Sequence, residues 1–294
     1  MKQIKSVIYT ILGLLIYPAF GVAQDFDNIE ITTIPVKGSI YMLQGSGGNI
    51  GVSIGDDGTF IIDDQFAPLT DKIVAAIAEL TDKPVNFVVN SHWHYDHTDG
   101  NENFGRAGAY IVAQDNSRKR METDQVVSLT NRDQLAYAKE GLPKITFMDS
   151  MRFYFNDNTI DVVYTGPGHT DGDAQVYFRE LNVIHTGDMF VRYGLPFIDQ
   201  PNGGSTNGMI DALWDIAGLI DDDTIIIPGH GQLSTRTDLL EYRTMLTTIR
   251  ARLKEEIANG RTADQVVASN PARGYAQAGA GTERWLRAAY EEYK

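Results

Sequence analysis

Short apolar runs separated by glycine- and aspartate-rich turns fill the first part of the chain. Their length and β-branched content predict strands over residues 29–35, 39–43, 49–54 and 59–62. The Asp-Asp-Gly turn at 56–58 favours antiparallel pairing of the strands on either side of it. Apolar residues then recur at helical spacing, which predicts a helix over 67–80, and a β-branched run predicts another strand over 85–89.

The same alternation of apolar runs and polar turns continues along the rest of the chain. It predicts further strands over 109–113, 152–154, 159–164, 175–178, 183–185 and 224–227. Helical patterns cover 116–138, 205–220 and most of 237–294. Two β-rich halves that each carry helices predict an α/β (α+β) fold, a four-layer αββα sandwich of two mixed β-sheets flanked by helices.

The N-terminus has the pattern of a secretory signal peptide. Lys2 and Lys5 precede an apolar stretch over 6–20, and the small residues of Gly21-Val22-Ala23 predict cleavage after Ala23. An uncleaved membrane anchor is the alternative, but the uninterrupted apolar run is short for a bilayer span. We therefore expect a periplasmic or secreted protein whose single mature domain covers 24–294 and ends in a helical segment over about 237–294.

Composition narrows the possible partners and chemistry. The 39 acidic and 25 basic side chains leave a formal net charge of −14, which repels nucleic acid and anionic membranes. We expect a small-molecule substrate, no nucleic acid and, after signal cleavage, no membrane, while the sequence carries no signal for an oligomeric state. The chain has no cysteine, which excludes disulfides, thiolate catalysis and cysteine-ligated zinc.

The segment from Ser91 to Gly100 carries the strongest chemical signal. It places His92, His94, Asp96 and His97 within six residues, directly after the strand predicted over 85–89. Imidazole nitrogen and carboxylate oxygen are ligands that zinc accepts. Residues at i and i+2 of an extended loop project to the same side, so the first two histidines can bind one ion. The aspartate and the third histidine can then bind a second ion nearby, as in two-metal hydrolases.

Three further candidate ligands follow predicted strands and have glycine neighbours. They are His169 in a Gly-Pro-Gly-His turn, Asp188 after Thr-Gly, and His230 in Pro-Gly-His-Gly. Glycine lets the backbone approach a site closely, and loops at strand ends commonly carry function. His185 differs because it lies inside a strand pattern, so we expect it to pack or to support a ligand rather than bind metal.

These motifs, in this order over about residues 30–232, resemble those of the metallo-β-lactamase fold superfamily. The resemblance implies two Zn²⁺ ions per chain. It implies that His92, His94 and His169 hold one ion, that Asp96, His97 and His230 hold the other, and that Asp188 bridges them. It also implies that Asp63, at the end of an apolar strand, supports the metal loop through hydrogen bonds.

The resemblance also suggests the reaction. Zinc lowers the pKa of a bound water to about 7, which provides a hydroxide that can attack a carboxyl derivative such as a β-lactam, lactone or ester. Asp96 is expected to be catalytic by orienting that hydroxide. The cysteine-free two-zinc lactamases typically carry a small hydroxyl residue where Asp188 stands, whereas a bridging aspartate is typical of glyoxalase II and lactonase branches. We therefore expect weak or promiscuous β-lactamase activity.

Several alternatives stay open at this point. A glyoxalase II-like thioesterase would use basic residues of the helical tail, such as Arg250, Arg252 and Lys254, although these also suit a solvated helix face. A periplasmic zinc-binding accessory protein without catalysis is the non-enzymatic alternative, and iron or manganese are alternative metals.

The segment 190–204 follows Asp188 and is expected to overhang the metals. There Tyr193, Leu195 and Phe197 are candidates for an apolar substrate wall, and Arg192 is a candidate partner for a substrate carboxylate. Ordinary loop packing is the alternative reading of this segment.

Overall fold

The computed structural model describes residues 26–128 and 130–294, so the signal peptide expected over 1–23 lies outside the described residues. The elements of the first half are β1 (Thr32–Lys37), β2 (Ile40–Gln44), β3 (Ile50–Gly55), β4 (Gly58–Ile62), α1 (Thr70–Ala78), β5 (Val85–Val89), α2 (Tyr95–Thr98), α3 (Asn101–Arg106), β6 (Tyr110–Gln114), α4 (Asp115–Met121), β7 (Gln125–Val127), β8 (Arg132–Gln134) and β9 (Ile145–Phe147). Those of the second half are β10 (Ser150–Phe155), β11 (Asn158–Tyr164), β12 (Ala174–Phe178), β13 (Val183–His185), α5 (Thr206–Leu219), β14 (Ile225–Ile227), α6 (Arg236–Ala258), α7 (Ala263–Ser269) and α8 (Ala280–Tyr293).

These strands form two mixed sheets. The seven-stranded sheet has the order β1-β2-β3-β4-β5-β6-β9, antiparallel from β1 to β4 and parallel from β4 to β9. The five-stranded sheet has the order β10-β11-β12-β13-β14 and is antiparallel except for the parallel pair β13 and β14. A separate hairpin pairs β7 with β8.

Alternating side chains of each strand build the layers. In β4, Phe60 and Ile62 enter a buried cluster shared with Val162 and Phe178 of the second sheet. Ile61 points to the opposite face and joins a cluster with helix α1. The outer face of the second sheet is covered in the same way by α5, α6 and α8. Because side chains alternate with a period of two along a strand, each sheet has an inner and a helix-covered face, and the predicted fold of two mixed sheets flanked by helices is confirmed.

Two sequence predictions were wrong between residues 116 and 147. The helix expected over 116–138 ends at Met121 and is followed by the hairpin β7-β8, and strand β9 was not predicted. Tertiary contacts override the helical pattern there. The carboxylate of Asp124 accepts a hydrogen bond from the Ala136 backbone (2.8 Å), and Gln134 donates to the carbonyl of Trp93 (2.8 Å). The first bond joins the two ends of the hairpin, and the second holds the hairpin against the loop that follows β5.

The parallel strands bring several loops to one edge of the sandwich. The carboxyl ends of β4 and β5 lead into the loops that carry Asp63 and His92, and those of β13 and β14 lead toward Asp188 and His230. The loops of the two sheets bond directly, since the Asn49 backbone donates to the Gly229 carbonyl at 2.7 Å. Within the described residues, no helix has both the length and the apolar character needed to cross a membrane.

Candidate metal centre

Asp63 fixes the loop that follows β5. It is fully buried at the end of β4 with a left-handed φ of 63°. Its carboxylate accepts hydrogen bonds from the backbone and the hydroxyl of Ser91, both at 2.7 Å, and lies 2.7 Å from Nδ1 of His97. Asp63 therefore lies where the family resemblance places a residue that supports the metal loop.

The histidine-rich loop changes from extended to helical backbone at His94. This residue has extended dihedral angles (φ −64°, ψ 145°) and precedes α2, so Asp96 and His97 lie on the first helical turn. The hydroxyl of Thr98 donates to the carbonyls of Trp93 (3.1 Å) and His94 (3.0 Å), which holds the turn in place. The change of backbone direction turns Asp96 and His97 toward a different part of the site from His94.

The seven predicted ligands converge. Three groups offer one ligand atom per residue with all atoms of a group within 4.8 Å of one another. The groups are His92, His94 and His169; His92, His97 and Asp188; and Asp96, His97 and His230. The first and third groups are the two sets that the resemblance implied for two ions.

Asp188 lies between these two sets. Its Oδ2 is 3.6 Å from Nε2 of His169 and 3.5 Å from Nε2 of His230, and its Oδ1 is 3.3 Å from Nε2 of His97. Within the third group, Nε2 of His230 also lies 3.4 Å from Oδ2 of Asp96. A single carboxylate thus lies within 3.6 Å of histidines of both sets.

Four of the histidines have one ring nitrogen held by the protein and the other directed into the cluster. The holding contacts are His92 Nδ1 to the Ser91 hydroxyl (3.0 Å), His94 Nε2 to Asp199 (2.9 Å), His97 Nδ1 to Asp63 (2.7 Å) and His169 Nδ1 to the Phe197 carbonyl (2.8 Å). Such contacts fix the orientation of a metal-binding imidazole and raise its basicity.

Two buried atoms at the centre of the cluster have no hydrogen-bond partner among the described residues. They are Nε2 of His92 and Oδ1 of Asp188. A buried polar atom left without a partner costs about 1–3 kcal/mol. A metal ion would satisfy both atoms, and nitrogen and carboxylate ligands suit zinc. The residues therefore fit a metal centre.

Burial and neighbouring charges divide the histidines into two protonation classes. Burial lowers the pKa of His92 well below its usual range, and it outweighs Asp188 to lower the pKa of His169 to about 4. Burial also lowers the pKa of His97, but Asp188 and Asp63 outweigh it and raise that pKa well above the usual value. At neutral pH His92 and His169 are thus already in the neutral form that binds metal.

The carboxylates of the cluster are ionised. Burial raises the pKa of Asp96, but His97 and His230 outweigh it and lower this pKa to about 2. Burial likewise raises the pKa of Asp188, but His230 and His97 hold it well below the usual range. Their negative charges favour a bound cation.

Glycine is required at two positions where the backbone passes the ligands. A Cβ on Gly48 would overlap the ring of His97, and a Cβ on Gly229 would overlap Oδ1 of Asp188. The Gly48 backbone also donates to the carbonyl of Asp96 at 3.0 Å. Any side chain at either position would displace a candidate ligand.

His185 lies outside the three ligand groups, as the sequence predicted. Its Nε2 lies 3.0 Å from the carbonyl of Asn49, and its Nδ1 accepts a hydrogen bond from the Gly187 backbone at 3.1 Å. Both ring nitrogens are therefore occupied, and His185 positions the turn that carries Asp188.

Sequence reasoning missed Asp199. This residue is fully buried, and its carboxylate contacts Nε2 of His94. It also accepts hydrogen bonds from the hydroxyl of Ser128 and from Nδ2 of Asn202, both at 2.9 Å. The available signal was that Asp199 is the only acidic residue in the segment 190–204.

The segment 190–204 contacts the cluster through two rings. Phe197 stacks on His94 with ring centroids 5.6 Å apart and meets His169 edge-on at 5.5 Å. Tyr193 lies 5.7 Å from His230. Arg192 forms an ion pair with Asp238 at 3.2 Å, and its expected contact with a substrate carboxylate stays a prediction.

Two mixed sheets flanked by helices carry strand-end loops that gather histidines and aspartates into groups able to hold a metal ion. Residues 40–230 match the family model of the metallo-beta-lactamase superfamily, and the chain belongs to that superfamily.

Solved structures resemble this chain at low sequence identity. The DIM-1 metallo-beta-lactamase is 18% identical with a TM-score of 0.61, over 75% of this chain and 99% of that one. A metallo-beta-lactamase from Pontibacter korlensis is 16% identical with a TM-score of 0.61, over 74% and 99%. The stereoselective inverting sec-alkylsulfatase Pisa1 from Pseudomonas sp. is 16% identical with a TM-score of 0.67, over 90% of this chain but 50% of that one. At these identities the likeness establishes the fold.

Proposed function

We propose that this chain is an exported dinuclear zinc hydrolase that cleaves a carboxyl derivative, namely a β-lactam, lactone or ester. One observation carries the proposal. Buried histidines are each held at one ring nitrogen while the other nitrogen is directed into a shared cluster with two ionised aspartates. This arrangement matches a metal-binding centre better than a set of structural histidines, because it leaves buried nitrogen and oxygen atoms without partners.

We assign the residues to two ions in the way that the family resemblance implies. His92, His94 and His169 would hold one zinc, and Asp96, His97 and His230 the other, with Asp188 bridging. Zinc supplies Lewis-acid activation of the scissile carbonyl and of water at neutral pH.

Asp96 has the geometry of a residue that positions the attacking water. Its side chain is 26% exposed, whereas that of Asp188 is 6% exposed, so Asp96 is the more accessible carboxylate to incoming water. Its pKa of about 2 keeps it ionised at neutral pH. Oδ2 of Asp96 would accept a hydrogen bond from the water and orient it toward the scissile carbon, an effect that belongs mainly to the transition state.

The structure favours a lactone or ester over a glutathione thioester. The three basic residues considered for glutathione make contacts within the protein. Arg250 donates to Asn207 at 3.0 Å, Arg252 donates to the carbonyls of Pro271 and Arg273, and Lys254 lies over the ring of Tyr293. These cations hold the helical tail together.

The proposed location of the protein outside the cytoplasm depends on residues 1–23. A secretory signal there would deliver the protein to the periplasm or the exterior. The strongly negative charge fits a small-molecule substrate rather than a nucleic acid.

Metal analysis followed by a substrate panel tests this function. Purified mature protein should contain close to two zinc ions per chain and should lose hydrolysis of its best substrate on chelation. The panel should include β-lactams, lactones, thioesters, phosphodiesters and alkyl sulfates. Full activity of metal-free protein, or zinc binding without turnover of any panel member, would contradict the proposed hydrolase.

A further inference from the structure

A cavity of about 690 Å³ lies beside the candidate metal centre. One wall is the segment 193–201, and the other is formed by residues 275–288 of the helical tail. Most of its lining is apolar, including Leu195, Ile198, Trp285 and Ala288. Its size is within the range of about 300–1,000 Å³ that is usual for small-molecule sites.

The cavity and the candidate metal centre share two rings. Phe197 lines the cavity, and its ring also stacks on His94 and meets His169. Tyr193 lines the cavity and contacts His230. If the scissile bond of a substrate lies at the metal ligands, the two rings lie beside that substrate. The cavity is then adjacent to the rings.

The tail that forms the second wall is firmly held. Glu292 of α8 accepts hydrogen bonds from the backbones of Thr206 (2.8 Å) and Asn207 (2.9 Å) at the start of α5. Trp285 and Leu286 of α8 enter the buried cluster beneath the second sheet. Residues 275–288 lie beyond the segment 40–230 that matches the family model.

Apolar side chains outnumber polar ones in the cavity lining. Gln200 lines it, but its amide donates to the Ala288 carbonyl (3.0 Å) and to Glu292 (3.1 Å). Arg284 is the only charged side chain among the described lining residues. The described lining contains no acidic side chain, so a cationic group would lose hydration there without an opposite charge to replace it.

We infer that this cavity binds an apolar chain or ring of the substrate, so that the substrate class is a hydrophobic carboxyl derivative. The inference rests on the proposed hydrolase function and specifies which carboxyl derivatives that site accepts. Burying one methylene group of the substrate is favourable enough to raise the binding constant about fourfold. Turnover should therefore depend on chain length until the cavity is filled.

A homologous series of γ-lactones tests the inference. The ring carries a straight alkyl side chain of one to seven carbons, and kcat/KM is measured for each member with the zinc-loaded protein. We expect a rise of about fourfold per added carbon, followed by a plateau. Binding of the intact lactones to metal-depleted protein, measured by titration calorimetry, should show the same dependence on length without any turnover.

Two substitutions fill the cavity. Ala288→Trp should lower the ratio of kcat/KM for the longest lactone to that for the shortest at least tenfold, and should weaken binding of the longest lactone to metal-depleted protein. Ala288→Leu is the milder version should the first variant fail to fold. Ala251→Trp is the matched control, because Ala251 is exposed on α6 and does not line the cavity. It should leave the length dependence unchanged.

The two readouts separate this inference from the proposed function. Length-dependent binding with no hydrolysis would support the cavity and contradict the hydrolase. Hydrolysis that is independent of chain length, with no length-dependent binding, would overturn the cavity assignment and leave the hydrolase standing. An unchanged length dependence in folded Ala288→Trp would also overturn it.

Discussion

Replacing Asp199 by asparagine isolates the effect of one buried charge on the first candidate metal set. Oδ2 of Asp199 contacts both Nε2 of His94 and Nδ2 of Asn202, which are donors, and Oδ1 accepts from Ser128. The asparagine oxygen would take the place of Oδ2, because its NH₂ group cannot accept from either donor. The NH₂ group would then face the Ser128 hydroxyl, which can accept. The variant therefore keeps the shape and the hydrogen bonds and loses the charge.

The expected loss of metal affinity follows from the uncharged hydrogen bond that remains between the new asparagine and His94. A hydrogen bond to a charged group is roughly twice as strong as a neutral one, so His94 becomes a less basic and less firmly oriented ligand. Loss of such a supporting contact typically costs about 10–100-fold in metal affinity or activity. This corresponds to about 1.4–2.7 kcal/mol. Within the described residues, the carboxylate of Asp199 contacts His94, and its backbone N–H donates to the carbonyl of His169 at 2.8 Å. Both histidines belong to the first candidate set, so the zinc held by His92, His94 and His169 should be weakened more than the second.

Competition with a chromophoric chelator measures the affinity of each zinc in Asp199→Asn, and kcat/KM is followed as zinc is added back. We expect activity that falls at limiting zinc and recovers at excess zinc. Asp211→Asn is the control, because Asp211 is exposed on α5 and its loss changes the net charge equally. Two zinc ions bound with wild-type affinity in folded Asp199→Asn would refute the positioning role.

Four further predictions address the remaining groups of the site. Asp96→Asn should lower kcat by about 10²-fold or more while changing KM little, with zinc content measured alongside; unchanged kcat with a raised KM would make Asp96 only a ligand. His185→Ala should keep both zinc ions with at most a moderate activity loss, whereas His169→Ala or His230→Ala should lose metal; loss of a whole zinc from the first variant would reverse that assignment. Burial lowers the pKa of His230, but Asp188 outweighs it and raises this pKa to about 9. Zinc affinity of the metal-free protein should therefore rise with pH up to about 9, with proton release detectable by calorimetry in buffers of different ionisation enthalpy; pH-independent affinity between 7 and 9 would contradict this. Wild-type protein should hydrolyse an aliphatic lactone more efficiently than a cephalosporin, and Asp188→Ser should shift the preference toward the β-lactam, because a bridging carboxylate weakens both ions as Lewis acids; cephalosporin efficiency near the diffusional ceiling of about 10⁸ per molar per second would overturn this reading.

The candidate ligands could be predicted from sequence because each follows a short apolar strand. His92 comes after β5, Asp188 after β13 and His230 after β14, and parallel strands place their carboxyl ends at one edge. The strand patterns themselves were clear, since buried β-branched residues alternate between two packed faces. Residues far apart in the chain were therefore expected together, and their side chains meet within 4.8 Å in each group.

The parts that sequence did not predict depend on contacts between distant segments. Asp199 lies in an irregular segment, and only the fold brings it 2.9 Å from His94. The helix expected over 116–138 ends early because Asp124 and Gln134 find partners outside their own turn. Neither periodicity nor local propensity reports such partners, since tertiary contacts override them.

The fit of the non-reacting part of a substrate depends on the segments that surround the candidate ligands. The sandwich is retained in solved structures that are only 16–18% identical to this chain, so its strands tolerate extensive change. The candidate ligands lie at strand ends of that shared framework, where their positions follow from the fold. The segment 193–201 and the tail residues 275–288 are different, because they meet through packing of α8 against α5 and α6 and through the hydrogen bond from Gln200 to the Ala288 carbonyl. The tail residues 275–288 include no candidate metal ligand, so a change in this wall would alter the cavity while the ligand set stays the same, which allows one candidate metal centre to serve different substrates.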